Sequence, residues 1–434
     1  MLNYDRKPHC DDTCYRPSVP VENDIVRIGR GISEVRRPKV FLYSHDTYGL
    51  GHLRRNLAIA EHLLARSTAF SVRLLSGSPV IGSWALPDGL DVTTLEPVVK
   101  TGVETYRARS STQPFSLVKA YREARILSAV IAERPDILLV DHAPAGMNAE
   151  LLSTLTFIRR EMPGTRLILG LRDILDSPET VREIWRDQGI VPLLEHLYDH
   201  VLVYGCRSLF DVVAAYGVPA HVAGKFRYCG YISRPTKPEV VAPTGQRPTV
   251  LVTAGGGEDG YFLMEAYLRA LAMMPEGRVR SRLVTGPLMS TAQRQALDLL
   301  AAGHDDLEIT ASTTDLPTLL ERADLVVAMA GYNTSVEIVA SGKPAILVPR
   351  AAPRAEQRMR AAMFNKLGLV WSLKPGAELD ARLARRIERI LTRARRLPRR
   401  RELDLDGAVR VGDLFESIVT NRNPAIREAG SWPQ

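Results

Sequence analysis

Cysteine is scarce in this chain: Cys10, Cys14, Cys206 and Cys229 are the only four among 434 residues. Thiols so few and so scattered cannot frame a protein of this length with disulfides. Cys10 and Cys14 lie near His9, Asp11 and Asp12, but a zinc site needs a full set of ligands on a folded frame, and no metal is expected. Also missing is any run of about eighteen apolar residues, so no membrane-spanning helix is expected. Met1 to Pro20 contains no continuous apolar stretch of the signal-peptide kind. The expected location is therefore the cytoplasm.

Basic residues are plentiful. Fifty-seven Lys and Arg face 49 Asp and Glu, a net charge of +8. Much of the excess falls in Arg382 to Arg401, where Leu383, Ile387, Ile390, Ala394 and Leu397 recur at helical spacing. One face of that helix packs and the other carries arginines. The plain reading is a solvated face; the sharper one is peripheral contact with an anionic membrane surface. No aromatics interleave with the arginines, and single-stranded nucleic acid is not an expected partner. Hydrophobic residues at 45% and charged residues at 24% fit a globular protein of two or more domains.

Residues 1–37 show little periodicity and read as an extension. Lys39 to Ser44 is a bulky apolar strand, followed by Gly49-Leu-Gly-His52 and a helix with Leu53, Leu57, Ala60 and Leu64 on one face. Strand candidates Val72–Leu75, Ile137–Val140, Leu167–Leu171 and Val201–Tyr204 alternate with helices such as Leu117–Glu133 and Leu151–Glu161. Ser233 to Pro248 holds four prolines and reads as a stiff linker. A second alternation follows: strands Thr249–Thr253, Arg282–Thr285, Leu307–Thr310, Leu325–Ala328 and Ala345–Val348, with a helix over Tyr261–Met274. The expected organisation is two α/β domains, 38–232 and 249–402, joined by the 233–248 linker and followed by a C-terminal helix and tail, 403–434. Such sheets bind ligands beyond the carboxyl ends of their strands.

Three strand-to-helix turns carry chemistry. Gly49 and Gly51 permit close approach of a ligand, and His52 opens the following helix, where it can act as a general base or simply pack as a capping residue. A third glycine is missing, so this is no dinucleotide fingerprint. Gly255, Gly256 and Gly257 form a second turn that can expose backbone donors to a phosphate, or serve only as a tight turn. In the third, Gly331 permits the turn, Asn333 or Thr334 can cap the helix, and its N-terminus suits a diphosphate. Glu337, one turn in, can accept from two ribose hydroxyls, and Gly342 stops the helix. Asp141, His142, Arg172 and Asp173 follow two strands of the N-terminal domain and are weaker candidates for acceptor contact, with local loop hydrogen bonding as the plain alternative.

The stretch Asp315 to Leu367, centred on Ala328-Met-Ala-Gly-Tyr-Asn-Thr-Ser-Val-Glu337, resembles the donor-binding signature of glycosyltransferase family 28, which includes the N-acetylglucosaminyl transferase of peptidoglycan synthesis. The resemblance implies the GT-B fold, two Rossmann-like domains facing across a cleft, and a metal-independent, inverting hexosyl- or N-acetylhexosaminyltransferase without cofactor. It implies a UDP-sugar donor held by Gly255, Gly256, Gly257, Gly331, Tyr332, Asn333, Thr334 and Glu337. Glu356 and Gln357 would meet the donor sugar and His52 the acceptor, with Gly49, Gly51 and Arg54 beside it. The short Gly-x-Gly-His loop followed by arginine is closer to nucleotide-sugar hydrolases of the same fold, and the chain as a whole resembles bacterial glycosyltransferases of unassigned substrate. Hydrolysis, and non-catalytic binding of polyanions or a membrane surface, stand as alternatives. The acceptor, whether glycan, lipid-linked or small, is left open.

Overall fold

A computed structural model describes residues 36–47, 50–102, 105–109, 112–233, 247–313, 316–352, 354–392 and 403–422. The expected N-terminal extension with Cys10 and Cys14, Gly49, most of the proline-rich linker and the Arg399–Arg401 run lie outside these residues.

Strands numbered in chain order are β1 Lys39–Ser44, β2 Ser71–Ser76, β3 Leu90–Thr94, β4 Val98–Gly102, β5 Thr105–Ala108, β6 Ile137–Asp141, β7 Arg166–Arg172, β8 His200–Tyr204 and β9 Phe226–Tyr228 in the first half. The second half contributes β10 Thr249–Thr253, β11 Arg280–Val284, β12 Leu307–Thr310, β13 Leu325–Ala328, β14 Ala345–Leu347 and β15 Trp371–Ser372. They build two parallel sheets, ordered β3-β2-β1-β6-β7-β8-β9 and β12-β11-β10-β13-β14-β15. The central strands are buried along their length, as helix-covered parallel sheets require. Strands β4 and β5 form a separate antiparallel hairpin.

Strand order reverses between β1 and β6 and between β10 and β13. At such a switch point the loops leave in opposite directions and open a crevice. The helix after β1 opens with Gly51 and His52, the end of β6 carries Asp141, the loop after β10 carries Gly255 to Gly257, and the loop after β13 carries Gly331. All three turns singled out from the sequence therefore sit at a crevice.

The helix Tyr261–Ala272 ends two residues before the expected Met274. Met274 precedes Pro275, and the proline ring disfavours helical backbone in the residue before it. The helix Leu379–Thr392 buries Leu379, Leu383, Ala384, Ile387 and Ile390 and leaves Arg385 and Arg389 exposed. The C-terminal helix Gly407–Arg422 returns to the first domain and packs on the helix Gly51–Leu64 through fully buried Val411 and Phe415. Arg66 clamps it, with Nη2 at 2.6 Å from both Asp413 and Glu416. One apolar cluster runs without a break from Val40, Leu53 and Tyr204 to Val326, Tyr332 and Phe364. Each such side chain, fully buried, contributes about 1.5–3 kcal/mol.

Candidate functional site

The helix Gly51–Leu64 begins with no side-chain cap, and so does the helix Tyr332–Ser341. The first N–H groups of each lack intrahelical partners. The two N-termini meet: Asn333 Nδ2 donates to the Gly51 carbonyl at 2.8 Å. Neither Asn333 nor Thr334 caps its own helix; Gly331 occupies that position in extended conformation, and Asn333 is spent on the contact with the other domain. Gly255, at φ 69°, approaches Thr334 so closely that a Cβ would touch its hydroxyl. Gly257, at φ 93°, packs so tightly on Thr285 and Gly286 that a side chain would collide with their backbone. The expected glycine turns thus converge on the N-terminus of the helix carrying Glu337.

His52 stands at the opposite lip. Its Nδ1 lies 2.5 Å from Asp141 Oδ2. Asp141 in turn accepts from Arg55, with Nε at 3.1 Å and Nη2 at 2.6 Å from Oδ1 and 2.7 Å from Oδ2. Burial opposes ionisation of Asp141, but the Arg55 guanidinium and His52 outweigh it and hold its pKa at about 2. An ionised Asp141 accepts a hydrogen bond from Nδ1–H, the tautomer that leaves Nε2 with its lone pair. Burial lowers the pKa of His52 against the opposing pull of Asp141, with Arg55 and Arg172 adding to the lowering. The ring is therefore neutral and basic at neutral pH.

His45 and His142 flank it, with ring centroids 5.5 and 5.2 Å from that of His52. His142 is held at φ 72°, and burial, then Arg172 and the neighbouring imidazoles, push its pKa well below the ordinary range. Left-handed backbone is uncommon for a non-glycine residue, and such conformations gather at functional sites. Arg172, at the end of β7, makes no hydrogen bond or ion pair among the described residues; burial, Arg55, Arg360 and Arg354 push it down to about 10, with Glu356 opposing. A buried guanidinium with no bonded partner among the described residues suits an anionic group.

Other candidates are already engaged. Asp173 is fully buried, accepts from Tyr231 Oη at 2.7 Å and lies 3.6 Å from Arg360; it does not face the cleft. Tyr332 turns its side chain into the domain boundary, its hydroxyl donating to the Tyr204 carbonyl at 3.0 Å. Glu337 is paired with Arg54. Glu356 pairs through Oε1 with Arg350, while its Oε2 is buried without a partner among the described residues. Gln357 Oε1 accepts from the Arg350 N–H at 3.2 Å. Arg55, His45 and Arg360 were not singled out from the sequence. Only Arg55 left a signal, lying three residues after His52 on the same helical face.

Residues 249–405 match the glycosyltransferase family 28 C-terminal domain. The C-terminal domain is of the glycosyltransferase family 28 type. Among curated relatives, the UDP-N-acetylglucosamine–N-acetylmuramyl-(pentapeptide) pyrophosphoryl-undecaprenol N-acetylglucosamine transferase of Phenylobacterium zucineum is 30% identical over 223 residues, 47% of this chain and 59% of that protein. The same-named transferase of Chromobacterium violaceum is 32% identical over 175 residues, 40% of this chain and 48% of that one. The chain thus spans about half the length of the curated relatives it matches. The structure of the glycotransferase of kitacinnamycin superposes with a TM-score of 0.58 at 18% identity, covering 88% of this chain and 99% of that one. MurG of Acinetobacter baumannii gives 0.54 at 14%, covering 88% and 100%. The structure of a putative UDP-N-acetylglucosamine 2-epimerase from Listeria monocytogenes gives 0.55 at 13%, covering 89% and 98%. These likenesses show the fold: the chain has the GT-B architecture of two parallel-sheet domains.

Proposed function

We propose that the protein transfers a hexosyl or N-acetylhexosaminyl group from a nucleoside diphosphate sugar, with UDP as the nucleotide, to a hydroxyl acceptor. The acceptor oxygen attacks the anomeric carbon from the face opposite the diphosphate, so the configuration inverts. Its proton passes to His52 Nε2, and Asp141 stabilises the imidazolium that forms. The C–O bond to the diphosphate breaks, and the leaving group's charge falls on the N-terminal N–H groups after Gly331 and the turn at Gly255. With those dipoles and Arg172 nearby, this reading requires no metal ion. Glu337 takes the ribose hydroxyls once Arg54 yields; Glu356 Oε2 and Gln357 take sugar hydroxyls.

The observation that carries the reading is the 2.8 Å contact between Asn333 and Gly51. It brings a helix end suited to a diphosphate against the helix end that bears a His–Asp pair. That is the juxtaposition a displacement at the anomeric carbon needs. Hydrolysis stays beside transfer, because His45 and His142 surround His52 with ring nitrogens that can orient water as readily as a hydroxyl. Incubation with labelled UDP-sugar alone, and then with acceptor hydroxyls, separates the two. Release of free sugar at full rate without acceptor contradicts transfer.

Peripheral contact with an anionic membrane surface from the cytoplasm belongs to the same reading. Leu117 and Tyr121 are 53% and 57% exposed on the helix Phe115–Glu133, beside Lys119 and Arg125. No helix among the described residues is long and apolar enough to cross a membrane. A lipid-linked acceptor would bring the substrate to that surface, and co-sedimentation with anionic but not neutral vesicles tests it.

A further inference from the structure

The His52–Asp141 pair is completed from the other domain. Arg55, 2% exposed, is the cation that fixes both oxygens of Asp141. Its guanidinium carbon lies 5.3 Å from the ring centroid of Tyr204 and 5.6 Å from that of Tyr332. Tyr204 ends β8 of the first sheet; Tyr332 opens the helix of the donor-side loop in the second. A buried guanidinium with one carboxylate partner depends on π faces for the rest of its stabilisation. Tyr332 is itself pinned, donating to the Tyr204 carbonyl at 3.0 Å and accepting from the Ile232 N–H at 3.3 Å. Arg360, from the helix Glu356–Lys366, approaches the same ring at 5.5 Å and donates to the Ala330 and Ile174 carbonyls. The residues next to the diphosphate-side loop are thus tied to the groups that orient the base.

We propose that Tyr332 is a positioning residue that seats Arg55, and through Arg55 and Asp141 sets the orientation and proton affinity of His52, so that docking of the donor domain completes the general base. This rests on the reading of His52 as the base. Docking with Tyr332 in place keeps the dyad dry and its geometry fixed; without it, water reaches Arg55 and Asp141 and the imidazole is less constrained. The groups facing His52 are Arg55 on its own helix, His45 and Asp46 after β1, Asp141 and His142 at the end of β6, and Arg172 at the end of β7. None of these groups is itself substituted when Tyr332 is replaced, so a change in His52 titration reports how they are seated.

The test uses the full chain with ring-labelled histidine, the His52 signal being assigned by its loss in His52→Gln. Tyr332→Leu removes the ring; Tyr332→Phe keeps it but frees it from Tyr204 and Ile232. The expected result is a His52 pKa raised by about one unit in Tyr332→Leu, as burial of the imidazole is relieved, and raised by less in Tyr332→Phe. Turnover of donor should fall about tenfold or more while UDP still shifts the melting temperature. An unchanged His52 titration in Tyr332→Leu overturns the proposal; if that variant does not fold, Tyr332→Phe decides by the same criterion. A wild-type protein that binds UDP but consumes no UDP-sugar overturns the transferase reading alone, since the titration needs no activity.

Discussion

The Glu337 carboxylate, the group proposed to hold the ribose, is occupied by Arg54 from the opposite domain. Both side chains are about one-tenth exposed, so the pair is only partly screened by solvent. A nucleotide that uses Glu337 must displace Arg54 first. Removing Arg54 therefore removes a competitor. A partly exposed pair is worth about 1 kcal/mol, or roughly fivefold in affinity. Arg54→Ala is expected to bind UDP more tightly by about that factor in calorimetric titration. Weaker binding would mean that Arg54 serves the nucleotide directly.

Loss of the base should separate chemistry from binding. His52→Gln is expected to lower turnover by about 10²–10⁴ with little change in the Kd for UDP, because the imidazole is proposed to act on the acceptor and not on the nucleotide. Burial lowers the His52 pKa, so the wild-type rate should hold as pH falls to about 6.5, the ordinary histidine value, and decline only below it. A pH–rate profile already falling at higher pH would contradict a neutral, depressed His52.

Asp141→Asn removes the only carboxylate bonded to Arg55 among the described residues and unsets the His52 tautomer. Breaking a buried ion pair by removing one partner costs about 3–5 kcal/mol. Chemical denaturation should show a loss of that order, together with a fall in turnover. A stable, active Asp141→Asn protein would remove the His–Asp pair from the account.

Acid should destabilise the fold before its carboxylates titrate. His142 and His52 have folded pKa values below the unfolded value of about 6.5. Between the two values the unfolded chain binds more protons, so stability rises with pH, is complete above about 6.5, and falls on acidification at up to about 1.4 kcal/mol per pH unit for each histidine. Asp141, depressed to about 2, adds a loss only from about pH 4 downward. His142→Asn, which tolerates positive φ, should flatten the slope between pH 5 and 6.5; an unchanged slope contradicts a neutral buried His142.

Gly257 stands in left-handed backbone against Thr285 and Gly286. Gly257→Ala is expected to lower stability by more than the roughly 1–2 kcal/mol of a left-handed alanine, because the methyl also meets backbone, and to weaken UDP binding by moving the Gly255 turn. A melting curve and a UDP titration that match the wild type would deny that turn its role.

The strand–turn–helix unit around Gly331 was legible because its signals are local. The apolar run Leu325–Ala328, the permissive Gly331 and the left-handed stop at Gly342 all act within a few residues. The glycine turns at Gly51 and Gly255 were legible for the same reason. Side-chain destinations were not. Asn333 has the chemistry of a cap but spends it on Gly51, 282 positions away in sequence, and Tyr332 faces inward because Arg55 and Tyr204 offer it a partner there. Arg54 and Arg55 are neighbours in sequence with opposite fates, one on Glu337 and one on Asp141. Those fates follow from how the two sheets meet, which no local periodicity encodes. Strand β3 and the β4–β5 hairpin went unread because short, half-exposed edge segments carry little apolar signal.

The central claim is that the segment from Ala330 to Gln357 holds a nucleotide through Glu337. Titration of the wild-type chain and of Glu337→Ala with UDP, followed by thermal shift and calorimetry, tests it most directly. The account predicts saturable stabilisation of the wild type by mass action and a loss of most of it in Glu337→Ala. No response of the wild type at saturating UDP, or equal responses in the two proteins, would contradict it.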